Sequence, residues 1–152
     1  MQKDIVHIWS FKQPPEQVWP YLTESDLISQ WLMKNDFKPV TGHRFTFQAG
    51  PVAALDFDGI VHCEVLEIKP KEKLSYSWKY GSGKGSFHID STVTWTLKPT
   101  ATGTELKLVH AGIDNVKYPV DFQAMYSGWK SNVDKIETVS YTHLTLPTIY
   151  SV

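Results

Sequence analysis

The chain is poor in the features that mark several large protein classes. It holds one cysteine, Cys63, among 152 residues. That excludes an internal disulfide framework and a cysteine-built structural zinc site. Charge of one sign is not in excess: 15 Lys and Arg stand against 16 Asp and Glu, a net charge of -1 at pH 7. Recognition of a phosphate backbone needs a basic face, so nucleic acid is excluded as a partner. No apolar run approaches the ~18–20 residues of a membrane-spanning helix. The opening MQKDIVHIWS lacks the basic start and apolar core of a secretory leader. A soluble, cytoplasmic protein without membrane contact is expected. What the chain does have is apolar and aromatic mass, 41% and 13% of its residues. A chain of this length buries roughly two thirds of its unfolded surface in one core.

Two hydrophobic periods organise that mass. Residues 4–11 alternate as a strand does, with Ile5, His7, Trp9 and Phe11 on one face and Val6, Ile8 and Ser10 on the other. Pro14 and Pro15 end the strand and open a helix, because the missing proline N–H has no partner in a first turn anyway. Val18, Trp19 and Leu22 form the apolar side of this helix. Thr23 to Asp26 supplies capping residues, and Leu27, Ile28, Trp31 and Leu32 mark a second short helix. From Gly42 the period falls to two. Phe45 and Phe47 share a face, as do Val61, Cys63 and Val65, then Leu74, Tyr76, Trp78 and Tyr80. Val93, Trp95 and Leu97 follow, then Leu106, Leu108 and His110. Turns at Gly50-Pro51, Asp58-Gly59, Pro70 to Lys73, Gly81 to Gly85 and Pro99 to Gly103 separate these runs. After a loop from Ala111 to Val120, helical spacing returns in Phe122, Met125, Tyr126, Trp129, Val133 and Ile136, predicting a last helix from near Asp121. The fold class is α+β: an antiparallel sheet curls around one helix, and each covers the other's apolar side.

The pattern breaks at Val139. From there to Val152 the chain has no Asp, Glu, Lys or Arg and is rich in Thr. Its run VSYTHLTLPT resembles the frame translation of a transposase sequencing adapter. Residues 1–138 are therefore expected to be the domain and 139–152 a non-native tail that replaces the natural C-terminus. A natural tail is the alternative, since Val, Tyr and Thr favour strands.

Several stretches, in order, resemble one family. Gln13-Pro-Pro-Glu-Gln-Val-Trp19, Leu27, Trp31 and Gly42 resemble the opening of the SRPBCC superfamily, whose helix-grip fold is that of the birch-pollen allergen, also called START-like. Val65 to Pro70 with Leu74 to Trp78, then Thr104 to Gly112, then Gly128-Trp129, resemble its bacterial branch. That branch is named for the C-terminal domain of the activator of the 90-kDa heat-shock protein ATPase. The resemblance covers residues 4–138. It implies a curved antiparallel sheet of six to seven strands wrapped around a long C-terminal helix, with two short helices after the first strand. It also implies a cavity between sheet and helix for lipids, polyketides or other hydrophobic ligands. A minority of members are cyclases or similar enzymes.

The candidate ligand-binding residues are Trp31, Phe45, Phe47, Val61, Cys63, Tyr76, Trp78, Val93, Trp95, Leu108, His110, Met125 and Trp129. Such residues build an ordinary core, and aromatic walls with few polar groups equally suit an apolar ligand. Tyr76, Tyr80, His110 and His7 are the candidate anchors. His110 shares parity with Leu106 and Leu108, so burial should lower its pKa and suit it to act as a base. The plainer alternative is a core histidine bonded to a backbone carbonyl.

Metal readings fail on geometry. His62, Cys63 and Glu64 alternate across a strand, and His88 with Asp90 makes two ligands only. Asp56-Phe-Asp58-Gly59 lacks the rest of a calcium loop. No metal and no cofactor are expected. Gly81-Ser-Gly-Lys-Gly85 lacks phosphate-loop spacing and joins two strands, and Cys63 reads as an inert core thiol. The function expected first is non-enzymatic carriage of a small aromatic, acyl or polyketide-like ligand by a monomer or weak dimer. One alternative is a cyclase or hydrolase on the same cavity, with His110 or a Tyr as acid/base. The other, placed last, is a chaperone-interacting module.

Overall fold

A computed structural model describes residues 3–83 and 85–150, with side chains of the last helix as far as Ile136. The tail expected from Val139 to Val152 thus lies outside the described side chains, and Lys84 of the glycine-rich loop lies outside the described residues. Strand β1 (Ile5–Phe11) leads into three single turns of helix, α1 (Pro15–Val18), α2 (Pro20–Thr23) and α3 (Ser25–Ile28). The first of the two expected short helices is divided here into α1 and α2, and the second is α3. Pro20 has no N–H for the turn behind it, so the chain restarts with Trp19 as a new cap. Glu24 ends α2 and begins α3, but no side-chain bond caps α3, and the Thr23 hydroxyl donates to the Trp19 carbonyl (3.0 Å). Trp31 follows α3 in a turn, and its indole N–H donates to the Tyr21 carbonyl (2.7 Å).

Six strands follow: β2 (Lys34–Asn35), β3 (Arg44–Gln48), β4 (Ile60–Lys69), β5 (Lys73–Tyr80), β6 (Ile89–Thr100) and β7 (Gly103–Ala111). At two residues, β2 is too short to carry any alternation, and sequence periodicity missed it. Helix α4 (Pro119–Tyr150) begins at a proline, slightly before Asp121. All seven strands form one sheet in the order β1-β7-β6-β5-β4-β3-β2. Every pairing is antiparallel, so β2 to β7 is a simple meander and β1 closes onto its far edge.

Strict alternation gives the sheet one apolar face. Leu74, Val93, Trp95, Leu106 and Leu108 are fully buried on it. A bulge between Val65 and Glu67 interrupts the β4–β5 register. Bulges bend a strand and raise its twist, which curls the sheet toward α4. The helix answers with Trp129, Val133 and Ile136, all at most 3% exposed and spaced by four and three residues. The Trp129 ring lies 5.4 Å from Trp95, edge-on, and 5.0 Å from Trp78. Burial of side chains this size contributes ~1.5–3 kcal/mol each.

The start of β7 locks β1 and α1 together. The Thr104 hydroxyl, fully buried, donates to the Gln13 carbonyl (2.7 Å). Beside it the β1 backbone runs so close to Gly103 that an added Cβ would sit 1.9 Å from the Phe11 carbonyl oxygen. Backbone cannot swing aside as a flexible side chain does. Gly103→Ala should therefore cost about 2–3 kcal/mol of overpacking, roughly 5–10 °C in Tm. Thermal denaturation of the variant checks this; an unchanged Tm would refute the close approach.

Candidate functional site

Between α4 and the sheet, beside the segment that follows α3, lies an apolar cleft of about 140 Å³. Leu32, Met33, Trp78, Ala124, Met125, Gly128, Trp129 and Asn132 line it. Of the residues expected from sequence, Trp78, Met125 and Trp129 meet here. Trp31, Phe45, Phe47, Val61, Tyr76, Val93, Trp95, Leu108 and His110 are buried in the core cluster and do not line the cleft. Cys63 is buried too, and desolvation, followed by the nearby Asp36 charge, pushes its thiol pKa well up, so no thiolate forms at neutral pH. The aromatic side chains fill space by touching one another: Phe45 meets Phe47 and Tyr76, and Phe47 meets Trp78, each at 5.4 Å between ring centres. Leu32, Met33, Ala124, Gly128 and Asn132 are not among the site residues expected from sequence: Leu32 reads only as the apolar side of a short helix and Gly128 only as part of a family-like stretch. Leu32 and Met33 lie in the link between α3 and β2.

The expected anchors are all engaged. The Tyr76 hydroxyl accepts from the Trp95 indole N–H (3.0 Å). The Tyr80 hydroxyl donates to Asp121 Oδ2 (2.5 Å), which also meets His88 Nε2 (3.2 Å). Asp121, in the first turn of α4, is therefore the partner of His88; Asp90 instead approaches Lys79. His7 Nε2 lies 2.9 Å from the Tyr126 carbonyl in an exposed position. Among the described residues no three His, Cys, Asp or Glu come together as a metal site would require.

His110 is fully buried and held at both nitrogens. The Trp129 indole N–H donates to Nδ1 (2.9 Å), and Ser91 Oγ lies 2.8 Å from Nε2. An indole N–H can only donate, so Nδ1 carries a lone pair and the neutral ring holds its proton on Nε2. That proton goes to Ser91 Oγ, whose own hydroxyl donates to the Trp78 carbonyl (2.8 Å). Burial lowers the His110 pKa to about 3. Its partners are an indole and a hydroxyl rather than the backbone carbonyl of the plainer expectation.

One polar group in the cleft wall has no partner. Trp9, Trp31, Trp95 and Trp129 each donate their indole N–H to a protein oxygen or nitrogen. The Trp78 indole N–H, in a side chain only 5% exposed, donates to nothing. Leaving such a donor dry costs ~1–3 kcal/mol.

A larger groove, about 440 Å³, lies on the outer face of the sheet. Asp36, Arg44, His62, Glu64 and Lys79 line it together with Phe45, Cys63 and Phe87, so two of the expected binding residues border this mixed, largely charged groove. No described helix is long and apolar enough to cross a membrane.

Comparison with known proteins agrees with this architecture. The family model described as activator of Hsp90 ATPase homolog 1-like protein matches residues 12–140. The X-ray structure of protein MLL2253 from Mesorhizobium loti is 38% identical, with a TM-score of 0.79 over 90% of this chain and 95% of that one. The solution structure of Bacillus halodurans BH1534 is 26% identical, with a TM-score of 0.70 over 91% and 96%. DynU16, described as a putative protein in the dynemicin biosynthetic locus, shares the fold at 19% identity and a TM-score of 0.70; the match takes in 92% of this chain and 47% of that one. No curated protein matches the chain.

The His110 contacts make stability depend on acid. Its folded pKa, about 3, lies below the ordinary 6.5. The unfolded chain then binds the extra proton between those values, so this contribution is complete above pH 6.5 and lost as pH falls toward 3. Between pH 7 and pH 5 the loss is about 2 kcal/mol. His110→Gln should be the less stable protein at pH 7, with the gap to wild type closing by about that amount at pH 5. Urea denaturation at the two pH values measures it; a constant gap would show that the ring is not held neutral.

Proposed function

The chain belongs to the activator of Hsp90 ATPase homolog 1-like family, within the SRPBCC superfamily, and we propose that it binds and carries a small hydrophobic molecule in the cleft beside α4. Proteins of this fold family generally bind small hydrophobic ligands. Gly128 carries the reading for this chain. Glycine inside a helix is ~1 kcal/mol worse than alanine. Yet a Cβ built at Gly128 meets no atom within 4 Å. The helix forgoes stability at a cleft-lining position where nothing in the fold requires glycine. The space this leaves is apolar and ring-sized: cavities of roughly 150 Å³ with such walls stay dry and take up benzene. Binding would come from apolar burial, at ~25 cal/mol per Å² before ordering costs.

The carrier acts as a cytoplasmic monomer or weak dimer and catalyses no reaction. An acid/base role for His110 has less support, since both ring nitrogens are engaged and the ring does not line the cleft. The carrier domain spans residues 1–138, with 139–152 a non-native tail; the family match, which runs to residue 140, supports that extent to within two residues.

Saturation-transfer NMR with toluene tests the reading in three proteins. Wild type should show uptake, and Gly128→Leu should abolish it while remaining folded. Gly128→Ala should gain roughly 1 kcal/mol of stability and bind more weakly than wild type. Undiminished uptake by Gly128→Leu would move the site elsewhere and sink the proposal. Native mass spectrometry before and after denaturation would identify any molecule that co-purifies.

A further inference from the structure

We infer that two copies of this chain associate through β1, antiparallel about a two-fold axis at Ile8, so that their sheets run on as one. The inference goes beyond the carrier reading and does not depend on it. Strand β1 is the margin of the sheet, paired with β7 alone. Among the described residues, no backbone hydrogen bond outside the sheet ladder reaches it. Gly103 at the start of β7 lies against the Phe11 carbonyl oxygen. Peptide groups alternate sides along a strand, so Ile5, His7, Trp9 and Phe11 bond to β7. Val6, Ile8 and Ser10 then turn their N–H and C=O groups away from the sheet. On the outer face their neighbours leave them open: Val6 is 45% and Ile8 58% exposed. The inner face of β1 is already occupied, since the His7 and Trp9 rings bond to α4.

Sheets guard such an edge with lysine, proline, a bulge or a very short strand. The other margin does so, because β2 has two residues. Strand β1 has seven, with no proline and no Asp, Glu, Lys or Arg, and its register with β7 is unbroken. Only its flanks are charged, Asp4 before it and Lys12 after it. Both are exposed, and among the described residues neither joins an ion pair. Charge selects a second copy as the partner. Antiparallel pairing centred on Ile8 sets Ile8 against Ile8, Val6 against Ser10, and Asp4 against Lys12 of the second copy. Symmetry makes the last two pairings occur twice. These five residues share parity and hence a face, where opposite charges directly across a strand pair attract. Moving the axis to His7 or Trp9 would set Asp4 against Ser10 or Pro14, so charge also fixes the register. The assembly closes as a dimer, since β2 is too short to extend it further. One strand pair is a small interface, so the dimer is weak and forms as concentration rises.

Sedimentation velocity of the full-length protein, from micromolar to millimolar concentration at low salt, tests this. Wild type should pass from monomer to dimer. Ile8→Lys sets two ammonium groups against each other at the axis and should stay monomeric. Lys12→Asp sets aspartates face to face twice and should weaken the dimer about tenfold. Asp4→Lys combined with Lys12→Asp restores opposite charges and should recover wild-type association. All three positions are exposed, so these variants should fold. If Ile8→Lys does not, the charge swap decides alone. A wild type that stays monomeric throughout overturns the inference and leaves a monomeric carrier standing. A dimer that Ile8→Lys leaves intact uses another surface and overturns it as well. A double variant no tighter than Lys12→Asp overturns the pairing of Asp4 with Lys12.

Discussion

The hydrogen bond from the Trp129 indole to His110 Nδ1 ties the last helix to the middle of the sheet. Much else depends on it. It fixes the histidine tautomer, which sends a proton to Ser91 and from there a hydroxyl to the Trp78 carbonyl. One continuous chain of donors and acceptors therefore crosses α4, β7, β6 and β5. Its members are buried, so each unmade bond would carry a full desolvation cost. An apolar contact alone tolerates rotation of the helix; a directed bond does not. With Trp129 held in place, Val133 and Ile136 enter the core and Met125 and Gly128 border the cleft.

The concave face is thus crowded rather than hollow. Aromatic rings from β3, β5 and β6 pack edge to face and occupy the space that a sheet curled around a helix would otherwise leave. What remains open is a small cleft at one side of α4, kept so by a glycine in the helix and by short or flexible side chains around it. The polar economy of the two sites differs accordingly. In the core, Tyr76, Trp95, His110 and Trp129 satisfy one another. At the cleft, the Trp78 N–H has no such neighbour. On the outer face, charges of both signs stand in water, where their pairings contribute little.

Much of this was legible in the chain. Period-two alternation assigned the inward residues of β4 to β7 correctly, including Cys63 and His110. Pro15 announced α1, and the spacing of Trp129, Val133 and Ile136 announced the buried side of α4. The family resemblance also held. Less legible was the punctuation before the meander: Pro20 splits what apolar spacing reads as continuous helix, and β2 is too short to show a period. The candidate site was the least legible part. An inward-facing aromatic looks the same in sequence whether it fills a core or lines a cleft. The aromatic residues proposed as walls mostly pack in the core, while Met33 lines the cleft without any pattern to mark it and Gly128, legible only as part of a family-like stretch, lines it too.

The sequence by itself determined which residues face inward and which chemistries are missing, because alternation, helical spacing and composition are properties of local chain geometry. Only the tertiary structure decided where packing stops short. Whether an indole N–H meets Tyr76, His110 or nothing depends on where strands far apart in the chain bring their side chains. No local preference encodes that distance. The cleft, its glycine and its unanswered donor arise from the three-dimensional fit of α4 against a sheet whose curl the whole meander sets.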